Sequence, residues 1–345
     1  MSAPDQQHPV AEGQDLSRRD FLRRVAGASV LALTAGGIGA ALLDRAGPKA
    51  EGGGRIQSGL GDFSIPEFSG AKARLAVVRG KPGQEDRAAM FERAMQALGG
   101  MEAFIKRGDR VLLKVNAAFA TSPLLGATTH PDLLLAVASL CLKAGAAQVT
   151  VTDNPIHSPE SCFELTGIGE AARQAGARVI LPHESLFSPV SLAGGKLIQN
   201  WPVLTGALRG VNKVVALSPV KDHHRAGASM SLKNFYGFLG GRRNVFHQDI
   251  NGIIAELALL MRPTLVVLDG AQSMMTNGPT GGSLSDLKAT NMLAVSTDPV
   301  AADGFGMELL GRALTEAPYI LLAQAAGAGR ADYKALNPLM LDLGA

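Results

Sequence analysis

Short apolar runs alternating with helical periods constrain this 345-residue chain more than any other feature. Residues 74–78, 110–115, 148–152, 178–181, 211–217, 265–268 and 292–295 read as strands. Between and after them, residues 85–98, 131–144, 161–174, 250–261 and 299–310 carry apolar side chains at helical spacing. Pro131 stands at a permitted first helical position, and Gly99, Gly145 and Pro263 mark helix ends. The 211–217 run is almost unbroken in its apolar character, as a strand covered on both faces requires. Such alternation predicts an α/β fold with a mainly parallel, doubly wound sheet. Two α/β halves with a ligand crevice between them also fit the pattern. A hairpin-like piece near 191–198 interrupts the rhythm.

The N-terminal stretch does not belong to that pattern. Ser17-Arg18-Arg19-Asp20-Phe21-Leu22-Arg23 matches the twin-arginine export signal. Residues 25–43 are uncharged but only weakly hydrophobic, because Gly27, Gly36, Gly37 and Gly39 interrupt them. That composition favours a signal segment over a membrane anchor, although the length is near that of a span. The expected organisation is a twin-arginine signal peptide over 1–46, a Gly-rich linker over 47–70 and an α/β domain over 71–345. An extracytoplasmic, periplasmic location follows, with the Tat translocase as a partner during export. Membrane contact is expected only through the signal, if it stays uncleaved.

Composition removes several function classes. The chain is 46% hydrophobic and 18% charged, enough to bury a core. A formal charge of +3, with no Lys/Arg run outside the leader, argues against nucleic acid as a partner. Two cysteines, Cys141 and Cys162, cannot by themselves hold an iron–sulfur cluster or a tetrathiolate zinc. Cys141 sits in an apolar helical pattern and reads as a buried thiol, although export would permit a disulfide with Cys162.

Polar residues gather where a parallel sheet binds ligands, beyond the carboxyl ends of its strands. Lys114 and Asn116 follow one strand, Asp153 and Asn154 another, Asp269 a third and Asp298 a fourth. One such ending is uninformative, since Asp and Asn also cap helices and start turns. Several together predict a polar crevice. The densest stretch runs from His223 to His247 and includes Ser229, Ser231, Lys233, Asn234, Arg242 and Arg243. Its imidazoles offer proton transfer or metal ligation, and its lysine offers anion binding or a nucleophile. His223 and Lys233 are the expected catalytic residues, and His247 the expected metal ligand. Lys114, Asn116, Asp153, Asn234, Asp269 and Asp298 are expected to bind a cofactor or substrate. His130 either caps the helix at Pro131 or faces the crevice, and Asp303 is a second carboxylate near Asp298.

Several of these motifs together resemble the uncharacterised family catalogued as DUF362. They are Val111-Leu-Leu-Lys114-Val-Asn116, Thr129-His130-Pro131, Leu232-Lys233-Asn234-Phe-Tyr-Gly237, His247, Leu268-Asp269-Gly270, Asn277-Gly278-Pro279 and Asp298-Pro-Val-Ala-Ala-Asp303. The resemblance covers about 74–311 and implies a fold and a site, but no reaction. Members often carry a ferredoxin-like cysteine cluster, which this chain lacks. A fainter likeness links 223–247 to the nickel-pincer lactate racemases. It would equate Lys233 with the cofactor lysine, His247 with the nickel ligand and His223 with the catalytic histidine. Met230 and Ser231 stand where that pattern has glycines.

Two function classes stay open. The first is an exported enzyme acting on a small anionic molecule, with a metal or organic cofactor, by isomerase- or oxidoreductase-like chemistry. The second is a non-catalytic periplasmic protein that binds a metal or small ligand.

Overall fold

A computed structural model describes residues 57–58 and 60–344. The signal reading over 1–46 lies outside the described residues. Among the described residues, no helix is long and apolar enough to cross a membrane.

Nine strands form the central sheet. They are β1 (Leu75–Arg79), β2 (Arg110–Lys114), β3 (Gln148–Thr152), β4 (Arg178–Ile180), β5 (Lys213–His223), β6 (Gly227–Ser229), β7 (Leu265–Met274), β8 (Leu287–Ser296) and β9 (Leu339–Asp342). The spatial order is β9-β1-β8-β7-β5-β2-β3-β4, with β6 hairpinned onto the far end of β5. Pairing is parallel from β7 through β5, β2 and β3 to β4, and β8 alone runs antiparallel between β7 and β1. The expected α/β class and mainly parallel sheet are what the chain forms. One reversed strand changes where its loop emerges: Ser296 pairs with Val266, so Asp298 leaves the sheet at the amino end of β7.

Alternate residues of the buried strands face two separate cores. Val111, Leu113, Val215, Leu217 and Val267 pack with helices α1 (Arg87–Ala97) and α2 (Pro131–Lys143). Leu112, Val214, Ala216, Val266 and Leu268 pack on the other face. There they meet α6 (Ile250–Leu260), α7 (Pro299–Leu309) and α8 (Pro318–Ala325). This two-faced burial is the physical reason for the unbroken apolar runs, and each large side chain so buried contributes about 1.5–3 kcal/mol.

The predicted helix over 161–174 is two helices, α3 (Pro159–Leu165) and α4 (Ile168–Gln174), because Gly167 adopts φ 73° between them. A short α5 (Ser231–Asn234) follows β6. The interruption near 191–198 is an antiparallel pair, Ser188–Ser191 with Trp201–Val203. The expected linker over 47–70 is not free along its whole length. Gln57–Ser58 pairs with Val190 and Ser191, and Gly61–Asp62 pairs with Met261 and Arg262. Those backbone bonds anchor the segment to the domain that follows.

Candidate functional site

Loops at the carboxyl ends of β2, β3 and β5, together with the α5 segment, enclose a cavity of about 1030 Å³. Its floor and walls include Asn116, Asp153, Lys221, His223, Lys233 and Asn234, with Arg243 and His247 beside Tyr236. Phe119, Ile156, Phe187 and Pro202 supply apolar wall. The volume suits a drug-sized organic ligand.

Beneath the cavity lies a buried truss. Lys114 Nζ sits 2.7 Å from Asp153 Oδ1, 2.7 Å from the Val115 carbonyl and 2.9 Å from Asn234 Oδ1. All three of its hydrogens thus have acceptors. Asn234 donates in turn to the carbonyls of Lys114 and Leu217, tying α5 to β2 and β5. Asp153 also accepts from the Ala117 and Asn154 amides. Lys114, Asp153 and Asn234, read from sequence as binding residues, are therefore saturated by one another. Their role is to fix the floor. Gly237 presses its backbone onto this pair; a Cβ there would overlap Asp153 Oδ1 and lie 2.7 Å from Lys114 Nζ.

Above the truss, the cations are not matched by anions. Lys221 is buried and gives one bond to the Ala127 carbonyl at 2.5 Å. Lys233 stands 5.1 Å from the Tyr236 ring, with no ion pair among the described residues. Arg243 donates to the carbonyls of Tyr236, Leu239, Asn154 and Pro155 and so bridges three loops. Desolvation, reinforced by the Lys233 charge, pulls Lys221 down to about 7. Desolvation and the neighbouring Arg243 pull Lys233 down to about 8. Neither ammonium has a carboxylate at ion-pair distance among the described residues, and only the more distant Asp153 charge favours the charged form of Lys221.

The histidines divide differently from the sequence reading. His223 Nδ1 accepts from the Arg225 and Ala226 amides, each at 3.2 Å. That leaves the proton on Nε2. Desolvation and the charge of Lys233 lower its pKa to about 2. His223 is thus a neutral hydrogen-bond donor. His224 stacks on it at 5.1 Å, with Nδ1 against the Gly278 carbonyl. His247 faces Tyr236 edge-on and contacts the Asn244 carbonyl through Nδ1. Among the described residues, no three His, Cys, Asp or Glu side chains converge to hold a metal ion, so the ligand role expected of His247 finds no partners.

Asp269 and Asp298 are not cavity residues. Asp269 holds Arg87 Nε at 2.8 Å in a buried ion pair near α1. Asp298 caps α7 through the Val300 and Ala301 amides and accepts from Arg330 at the opposite end of the sheet. Asp298 emerges there because β8 is antiparallel, which polarity alone does not reveal. Asp303 receives the Ser231 and Leu232 amides and so seats the start of α5. His130 accepts from the Asp132 amide as the cap of α2. The residues that sequence reasoning missed are Lys221 and Tyr236. Lys221 lies in Ser218-Pro-Val-Lys221-Asp-His223-His224, where β5 runs on beyond its apolar part, and this was the available signal.

A family model described as "Domain of unknown function (DUF362)" matches residues 111–308. The chain belongs to the DUF362 family. Every cavity residue discussed above falls within the DUF362 match. A thylakoid-associated protein from Synechocystis sp. is 30% identical over 224 residues, covering 61% of this chain. The aligned part is 65% of that relative's length. A solved protein from Thermotoga maritima aligns at TM-score 0.38 and 10% identity, over 72% of this DUF362 chain and 60% of the other.

Proposed function

We propose that this DUF362 protein is an enzyme acting on an anionic organic molecule held in the cavity, and that it works outside the cytoplasm after twin-arginine export. One observation carries the reading: Lys221, Lys233 and Arg243 converge on the cavity, and none of them forms an ion pair among the described residues. Buried cations persist where a ligand supplies the missing charge. Asn116 adds to this, since its buried carboxamide makes no hydrogen bond and its Oδ1 is an orphan acceptor. A ligand offering an O–H or N–H donor would satisfy it.

The bound anion would lie against Lys221 and Lys233, with His223 Nε2–H as a fixed donor. A lysine poised near 7 and another near 8 exchange protons near neutral pH, which suits removal and return of a proton beside the anionic group. The Tat reading rests on Ser17-Arg18-Arg19-Asp20-Phe21-Leu22.

The test is a panel of carboxylates and phosphates read by thermal shift and by turnover. Lys233→Met and Lys221→Met should each weaken anion binding at least about tenfold, the scale of one lost charge-assisted contact. Turnover should vanish in Lys233→Met. Anion binding unchanged in the double variant would overturn the proposal.

A further inference from the structure

The loops that build the cavity also carry much of the molecule's exposed aliphatic surface. Leu124 is 70% exposed, Ile156 66%, Leu284 65% and Val245 40%. Each lies on a segment at one end of the sheet: after β2, after β3, between β7 and β8, and after α5. These segments form a connected rim. The Ile156 amide donates to the Ala118 carbonyl at 3.0 Å, and Arg243 bonds the Asn154 and Pro155 carbonyls. The Gly126 turn abuts the Leu287 side chain, and Phe119, Ala127 and Met274 pack together with Leu287. Ile156 belongs both to the rim and to the cavity wall.

The rim carries exposed arginines. Arg225 and Arg242 are exposed and have no carboxylate partner among the described residues. The nearby acids are engaged elsewhere: Asp222 with Arg312, Asp286 with Thr276 and Asn277, Asp153 with Lys114, Glu160 with the Ser158 hydroxyl and Asp249 with the Gly252 amide. Glu184 is an exposed carboxylate at the cavity wall. Aliphatic tips flanked by unpaired arginines complement a bilayer surface, where acyl boundary and anionic headgroups lie within a few ångströms of each other.

We propose that the cavity mouth seats on an anionic lipid surface through Leu124, Ile156, Val245 and Leu284, and that the cavity takes an anionic amphiphile from that surface. The second half rests on the anion-binding reading given above. It extends that reading because the space is far larger than a bare acid group needs. Phe119, Ile156, Phe187, Pro202 and Tyr236 would face the ligand's apolar body while Lys221 and Lys233 meet its charge.

Docking is tested on the full chain with an environment-sensitive fluorophore at Ile156→Cys or Leu284→Cys, since native Cys141 and Cys162 are buried. The probe surface is a phosphatidylcholine vesicle containing one part in three phosphatidylglycerol. Both rim positions should shift to the blue on vesicle addition, while Leu322→Cys on α8 stays water-like. The Leu284 signal should fall by more than half when Leu124→Asp and Val245→Asp are added. Rim and α8 probes that respond alike, or no response from the rim, would overturn the docking. Ligand class is read separately by comparing decanoate with acetate. Binding at least tenfold tighter for decanoate, lost in the Lys221→Met/Lys233→Met variant, supports the amphiphile. Equal binding overturns the amphiphile but keeps the anion site. Failure of both anions to bind overturns the anion reading itself, whatever the vesicle result.

Discussion

Replacing Gly237 with alanine probes the link between backbone placement and the charged floor of the cavity. The new Cβ would overlap Asp153 Oδ1 and stand 2.7 Å from Lys114 Nζ and 3.0 Å from its Cε. Something must move, and two responses are available. The Asp153 carboxylate can swing away, leaving the buried Lys114 ammonium with a carbonyl and an amide oxygen alone; removing one partner of a buried pair costs about 3–5 kcal/mol. Alternatively the Phe235–Phe238 turn can retreat, disturbing buried Phe235, Tyr236 and Phe238, and overpacking of this kind costs about 1–3 kcal/mol. The cheaper route dominates, so the expected destabilisation is about 1–3 kcal/mol. For a chain of this size that corresponds to a fall in Tm of roughly 2–5 °C. Thermal unfolding followed by circular dichroism measures it directly. Combination with Asp153→Ala, which removes the obstructing oxygen, should make the Gly237→Ala penalty shrink by more than about 1 kcal/mol, because contacting sites are not additive. A Tm change under about 1 °C, or fully additive costs, would refute the argument that Gly237 is required by the Lys114–Asp153 pair.

Two further outcomes are expected. Lys221 and Lys233 both have folded pKa values below their unfolded ones, so the unfolded chain binds more protons between about 7 and the ordinary lysine value near 10.4. The stability is present above the ordinary lysine value and is lost progressively as pH falls from about 10.4 to about 8 for Lys233 and about 7 for Lys221; relative to Lys221→Met/Lys233→Met, wild-type Tm should therefore rise between about pH 7 and about pH 10, and a parallel pair of curves would contradict the assignment. Asp298→Ala removes a helix cap far from the cavity and should lower stability by about 0.5–2 kcal/mol while leaving anion affinity within twofold; a large affinity loss in a folded protein would return Asp298 to the site.

Much of the architecture was legible because it depends on local pattern. The strand at 148–152 and the helices beginning at Pro131 and Pro299 occur where apolar spacing, prolines and capping residues place them. A strand with both faces buried must be apolar throughout, and a helix on one face of a sheet must repeat near 3.6 residues; both are one-dimensional signals. The break at Gly167 was harder to read, since the helical period continues on either side of it. The candidate site was legible in its location and in part of its membership: Asn116, Asp153, His223, Lys233, Asn234 and His247 do line one cavity.

What the sequence determined by itself, then, was the alternation of elements, the two-sided burial of the sheet and the clustering of polar residues after its strands. Only the tertiary structure decided which of those polar residues remain available to a ligand. Lys114 and Lys221 are both buried lysines on adjacent strands, yet one is neutralised by Asp153 and the other has a single carbonyl. Asp269 and Asp298 both follow strands, yet one is held by Arg87 and the other leaves the opposite end of the sheet. Charge pairing and strand direction arise from contacts between residues distant in sequence, and neither leaves a periodic trace along the chain.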